Sequence, residues 1–180
     1  MTQLSTKVGF VSLNIALLTV SDSRDSATDK SGDKLSTCLT DTGHRLADRQ
    51  WVKDDIYAIR AVVCQWIAAA DIDVILTTGG TGFTARDSTP DALMPLFDRV
   101  IDGYGELFRH LSYARIGTST IQSRALAGIA NRTVIFSIPG STNACQMAWE
   151  EIIKAQLDRR HRPCNFVEMI TFHKDNRYRE

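Results

Sequence analysis

The sequence has no excess of either charge: 21 lysines and arginines stand against 21 aspartates and glutamates over 180 residues. Without a net field the composition offers nothing that steers a chain onto nucleic acid or an anionic membrane, so any anion site must be local. Paired cysteines are also lacking. Cys38, Cys64, Cys145 and Cys164 lie far apart with no CxxC among them, which fits neither a zinc site nor a disulfide framework and points to a reducing cytoplasm. The histidines, His44, His110, His161 and His173, have no metal-ligand spacing. No run reaches the ~18 apolar residues of a membrane-spanning helix, and the N-terminal dozen holds no signal-peptide core. Internal repeats, low-complexity tracts and linker-like stretches are missing too. What is left is 43% hydrophobic and 23% charged, the make-up of one ordinary globular domain with apolar mass for a proper core.

Hydrophobic patterning alternates strands with helices. Leu13 to Val20 reads as a strand, followed by a helix with Ser31 as N-cap that Gly43 stops. Leu46 to Val52 reads as a second strand, and Ile59, Val62, Val63, Trp66, Ile67 and Ala70 mark an amphipathic helix in which Cys64 is expected to pack inward. Val74 to Thr78 is β-rich and does not alternate, as a strand covered on both faces should not. Ser88-Thr89-Pro90-Asp91 has the grammar of a helix start, predicting helices over about 90–99 and 104–114. Ala125 to Ile129 and Thr133 to Ile138 form a hairpin through Asn131-Arg132. A last helix over 142–158 turns Ala144, Met147, Ala148, Ile152 and Ala155 inward, and a basic, loosely patterned tail follows. This order predicts a Rossmann-like, three-layer α/β/α fold with a mostly parallel central sheet plus a small antiparallel hairpin. Its divisions are an N-terminal extension (1–13), the α/β domain (14–158) and the tail (159–180).

In such a sheet the loops leaving the carboxyl ends of the parallel strands share one edge. Four polar loops should converge there: Ser21-Asp22, Asp54-Asp55, Gly79 to Asp87, and Pro139 to Ser141. Gly79, Gly80 and Gly82 come directly after a buried strand, where backbone N–H groups can turn toward an anion with no Cβ in the way. Phosphate is the natural guest, and a glycine-rich structural turn is the plain alternative. A Walker loop is excluded, because no lysine follows the glycines. Gly80 to Ala85 fits the G-x-G-x-x-A dinucleotide pattern, but the helix start waits for Pro90 and no acid closes a following strand. Asp87 on the loop and Asp54 or Asp55 on its neighbour put carboxylates beside that phosphate. Two anions share a site only around a cation, and magnesium held by one or two carboxylates and substrate phosphates meets the need. A plain solvated turn is the other reading of Asp54-Asp55. Asp91 reads as a first-turn helix acid.

The stretch TTGGTGFTARDSTPDA at 77–92 resembles the hallmark loop of the molybdopterin adenylyltransferase family (MogA and MoaB) of molybdenum-cofactor biosynthesis. LTVSDSR at 18–24, DKSG at 29–32, GYGELFR at 103–109, IGTSTIQSRALAG at 116–128 and IPGSTNA at 138–144 agree in order and spacing. The resemblance covers about residues 14–166, and GTSTIQSRA with RPCNF at 162–166 looks closer to the MoaB branch. It implies that Thr78, Gly79, Gly80, Thr81 and Gly82 cradle nucleotide phosphates, and that Asp54 and Asp87 are the functional aspartates, binding Mg2+ and assisting transfer. Ser21, Asp22, Ser119, Arg124, Pro139, Gly140 and Ser141 match positions lining the nucleotide and pterin pocket. The implied reaction moves AMP from MgATP to molybdopterin, giving adenylyl-molybdopterin and pyrophosphate. A homotrimer or homohexamer is implied, working on small molecules alongside other proteins of the pathway, with no nucleic acid and no membrane. A non-catalytic molybdopterin-binding or carrier protein of the same pathway is the alternative. One departure is the turn Pro-Gly-Ser-Thr at 139–142, where many relatives have Pro-Gly-Asn-Pro or Pro-Gly-Gln-Pro.

Overall fold

The apolar, β-branched runs become the middle of the sheet. In the computed structural model, which describes residues 8–176 (172–176 by backbone alone), β1 (Asn14–Val20) is flanked in parallel by β2 (Arg45–Val52) and β3 (Val74–Thr78). Beyond the antiparallel two-residue β4 (Arg99–Val100) and β5 (Leu126–Ala130), strand β6 (Thr133–Ile138) pairs in parallel with β3. The order is β2-β1-β3-β6-β5-β4. Along β1, Leu17 faces one core and Leu18 the other, which is why the run shows no polar alternation.

One face of the sheet is covered by α1 (Lys30–Asp41) and, on the far side of the layer from it, the opposite face by α2 (Ile56–Ala68) and the short α3 (Thr89–Leu93). With α1 pack α4 (Asp102–Ile116) and α5 (Thr142–Ala148), which runs through a π-turn (Trp149–Ile153) into α6 (Lys154–Gln156), and lastly α7 (Phe166–Asn176). The three layers, the parallel centre and the hairpin match the expected architecture. Asn131 and Arg132 take φ of 43° and 75°, the left-handed pair that a two-residue hairpin turn demands.

Several local expectations are corrected. The N-cap of α1 is Asp29 rather than Ser31: its Oδ1 accepts from the Gly32 amide at 2.8 Å, while Ser31 donates its hydroxyl to the Gly140 carbonyl at 2.8 Å. The helix expected over 90–99 stops after five residues, because Pro95 has no N–H and crowds the preceding turn. A 3-10 turn (Met94–Leu96) and β4 follow, and Arg60 covers the carbonyls of Asp91 and Ala92 at 3.0 and 3.1 Å. In the last helix the π-turn adds a residue to one turn. Trp149, Ile153 and Leu157 are therefore buried, while Ala144 and Ala155 are only partly covered. Within the tail, Val167 and Ile170 of α7 enter the core at helical spacing, so this stretch is ordered structure and not a loose end. Residues 1–7 and 177–180 lie outside the described residues. Cys64 is exposed, because the buried stripe of α2 runs through Ile59, Val63 and Trp66.

His44, 5% exposed between the Phe10 and Trp149 rings, accepts the Leu13 amide on Nδ1 at 3.2 Å. Burial pushes its pKa below the ordinary histidine value, against weaker opposing pulls from Asp158 and Asp73. The unfolded chain then binds a proton that the fold excludes, so stability is full above about pH 6.5 and falls as the pH drops below it. Urea unfolding at about pH 7.5 and about pH 5.5, either side of that value, is expected to show this loss in the native protein and a smaller one in His44→Asn.

Candidate functional site

The carboxyl ends of β1, β2, β3 and β6 deliver the four polar loops to one edge, with the glycine loop where the chain switches direction between β1 and β3. Gly79, at φ +101°, runs against the Val20 carbonyl so closely that any Cβ would overlap it, and its amide reaches the Ile138 carbonyl at 3.1 Å. Gly80, at φ +62°, is wedged between the Asp54 carboxylate and the Thr89 hydroxyl. Thr89 fixes the loop from the start of α3, its amide donating to the Gly80 carbonyl and its hydroxyl to the Gly79 carbonyl, both at 3.0 Å. Among the described residues, the amides of Gly80 and Thr81 find no acceptor within the chain. Both residues line a cleft of about 500 Å³, together with Ser21, Asp22, Asp54, Asp87 and Ser141.

The two carboxylates are held by hydroxyls. Asp54 Oδ1 accepts the amide and hydroxyl of Ser88 at 2.8 and 2.5 Å, which draws the Ser88 hydroxyl away from capping α3, and Oδ2 lies beside Gly80. Asp87 Oδ2 accepts the Thr84 amide and hydroxyl at 2.9 and 2.5 Å. The Thr84 hydroxyl, more than its amide or the nearby Arg124 guanidinium, holds the Asp87 carboxyl below the usual range against the opposing effect of burial. Ser88 and Thr84 thus each fix one oxygen of a carboxylate at the edge of the cleft. Among the described residues no group of three or more His, Cys, Asp or Glu is placed to hold a metal by itself. A hard oxygen pair completed by substrate phosphates is the donor set that suits magnesium.

Asp54 and Asp55, equivalent on paper, part ways here. Asp55 caps α2, accepting from Tyr57 and Ala58 at 2.9 and 2.8 Å, and only Asp54 lines the cleft. Ser21, Asp22, Gly79 to Gly82, Gly140 and Ser141 line it as expected. Thr78 does not: strand alternation turns its hydroxyl inward, 1% exposed, against Cys145 Sγ at 3.2 Å and the Pro139 carbonyl at 3.3 Å. Pro139 contributes that carbonyl and is not in the lining. Ser119 is exposed on the 3-10 turn Gly117–Gln122 and lines neither this cleft nor an adjoining one of about 680 Å³, in whose wall Arg124 stands.

Three contributors escaped the sequence reading. Arg24 lines the cleft with Nη1 fixed on the Gly140 carbonyl at 2.7 Å, and Arg86 lines it while paired with Asp22 at 2.9 Å. Their signal was position, since both sit in the converging loops, whereas a cancelled net charge hides them. The third is Asp29, wholly buried beneath the loops. It accepts from the Thr19 hydroxyl at 2.6 Å, the Gly32 amide at 2.8 Å, and Arg49 and the Trp51 indole at 3.0 Å each. Burial alone pushes Asp29 upward, but the four donors outweigh it and hold the carboxyl below its ordinary value.

Residues 16–159 match a family described as "probable molybdopterin binding domain". The chain belongs to that family. It is 55% identical over 166 residues to molybdenum cofactor biosynthesis protein B of Escherichia coli strain K12, covering 92% of this chain and 96% of that protein. The protein of the same name from Staphylococcus aureus strain Mu50 is 48% identical over 146 residues, covering 79% and 86%. A crystal structure of molybdenum cofactor biosynthesis protein B has a TM-score of 0.81 at 38% identity, covering 93% of this chain and 98% of that one. Tungsten cofactor synthesizing protein MoaB from Pyrococcus furiosus has a TM-score of 0.72 at 33% identity, covering 94% and 98%. The family read from the glycine loop is thus the family matched, on the MoaB side. Among the described residues no helix is long and apolar enough to cross a membrane.

Proposed function

We propose that this member of the family acts in molybdenum-cofactor biosynthesis by transferring AMP from MgATP to molybdopterin, giving adenylyl-molybdopterin and pyrophosphate. One observation supports this above the rest: Asp54 and Asp87 stand against Gly80 and Gly82 in a single cleft whose glycine loop offers unused amides. The amides hold the nucleotide phosphates and the Arg24 and Arg86 guanidiniums offset their charge. Magnesium, carried by the Asp54 and Asp87 carboxylates together with the phosphates, supplies neutralisation of the charge that develops on transfer.

A terminal phosphate oxygen of molybdopterin forms a bond to the α-phosphorus as the bond from that phosphorus to the bridging oxygen breaks. Pyrophosphate leaves with the electron pair. The attacking phosphate is ionised near neutral pH, so no general base is needed and the chain's work is positioning and charge stabilisation. Calorimetry tests this reading: ATP is expected to bind with magnesium and much more weakly without it. A carrier of molybdopterin would instead bind the pterin tightly with no response to ATP, and that result would overturn the proposal.

A further inference from the structure

We infer that Arg124 is a positioning residue, which sets Asp87 and the glycine loop from behind through their backbone and does not itself touch the nucleotide. This rests on the reading of the cleft as a MgATP site. Arg124 lies just after the 3-10 turn Gly117–Gln122 and donates from its backbone amide and from each of its three guanidinium nitrogens to the loop or its flank. Its amide donates to the Thr81 carbonyl at 3.0 Å, Nε to the Gly82 carbonyl at 2.8 Å, and Nη2 to the Asp87 carbonyl. Nη1 meets the Asp91 carboxylate at 2.9 Å, and the guanidinium lies over the Phe83 ring, 5.2 Å from its centroid.

One side chain therefore grips both ends of the segment from Gly82 to Asp87. Inside that closed segment the Asp87 amide donates to the Thr84 carbonyl at 3.0 Å, and the Thr84 amide to the Asp87 carboxylate at 2.9 Å. Arg124 closes the ring that aims Asp87. Arg124 lines the adjoining, mainly apolar cleft of about 680 Å³ and is not in the lining of the cleft that holds Asp54 and Asp87. The planar fork is essential to this work, since a lysine ammonium carries the charge but cannot span two carbonyls and a carboxylate in fixed directions. With the brace gone, a drift of the Asp87 carboxylate on the order of 1 Å lowers the rate roughly 100-fold.

The test compares the native protein with Arg124→Lys and Arg124→Ala. Amide hydrogen exchange at Thr84 and Asp87 in the ligand-free protein is expected to quicken in both variants, while the core strands β1 and β3 keep their protection. The kcat for pyrophosphate release is expected to fall roughly 100-fold in both, with the ATP affinity in magnesium changed only a few-fold and little rescue by lysine. Unchanged exchange at Thr84 and Asp87, together with an ATP affinity lost in Arg124→Ala and largely restored in Arg124→Lys, overturns the inference and makes Arg124 a direct phosphate ligand. Unchanged exchange with unchanged kcat overturns it as well. If the native protein releases no pyrophosphate, the adenylyl-transfer reading fails, while the exchange measurement still decides whether Arg124 braces the loop.

Discussion

Asp54→Asn and Asp87→Asn are each expected to lower kcat/KM for adenylyl transfer by roughly 10²–10³-fold, or about 3–4 kcal/mol of transition-state stabilisation. Asparagine keeps nearly the same shape, so the bonds from Ser88 to position 54 and from Thr84 to position 87 can persist and the fold should be spared. What is lost is one negative charge at the point where the proposed function places the phosphates and the cation. The defect should deepen as magnesium is lowered, because a weaker carboxylate set releases the ion first. The double variant should lose far less than the sum of the two, since both carboxylates serve the same charge. Steady-state pyrophosphate release across a magnesium series, with thermal unfolding as the control for folding, measures all of this. Native rates in both single variants would remove Asp54 and Asp87 from the chemistry.

Asp29→Ala is expected to destabilise the protein by about 3–5 kcal/mol, toward the lower end, because it strips the acceptor from a buried charged cluster. Arg49, the Trp51 indole, the Thr19 hydroxyl and the Gly32 amide all lose their shared partner at once. The lower end applies because Arg49 keeps a second carboxylate, Asp33, at 2.8 Å. The sign with pH follows from the direction of the shift. The folded Asp29 sits below its ordinary value of 3.8, so its contribution is complete above that value and is lost as the pH falls through the lowered folded pKa. Equilibrium urea unfolding of the variant at neutral and acid pH tests both parts, and a variant as stable as the native protein at neutral pH would contradict them.

The middle of the fold was legible because burial on both faces leaves a mark on composition: Val74 to Thr78 has no room for a charged residue, and no other reading suits it. The misses have two causes, contact between residues far apart in sequence and local departures from regular geometry. Asp29 and Ser31 are equally good cap types, and the choice was made by Arg49 and Trp51 on β2. Asp54 and Asp55 differ only in which one the start of α2 claims. The π-turn at Trp149 departs from the 3.6-residue period on which a helical stripe is read, so Trp149, Ile153 and Leu157 join the expected Met147, Ala148 and Ile152 in the core. Two of these features are visible in the sequence itself. Pro95 forbids a helix through 99, and the apolar spacing of Val167 and Ile170 marks α7 within an otherwise basic stretch.

For the site, the glycines and acids announced themselves by residue type, while Arg24 and Arg86 gain meaning only once their loops meet at one edge. Thr78 shows the converse: it belongs to the glycine-loop motif, yet its side chain serves the packing beneath the loop.

The most direct test is pyrophosphate release by the purified full chain from MgATP and molybdopterin. The expected result is one pyrophosphate for each adenylyl-molybdopterin formed, with none when either magnesium or molybdopterin is withheld. Tight molybdopterin binding with no pyrophosphate released and no magnesium-dependent binding of ATP would contradict it.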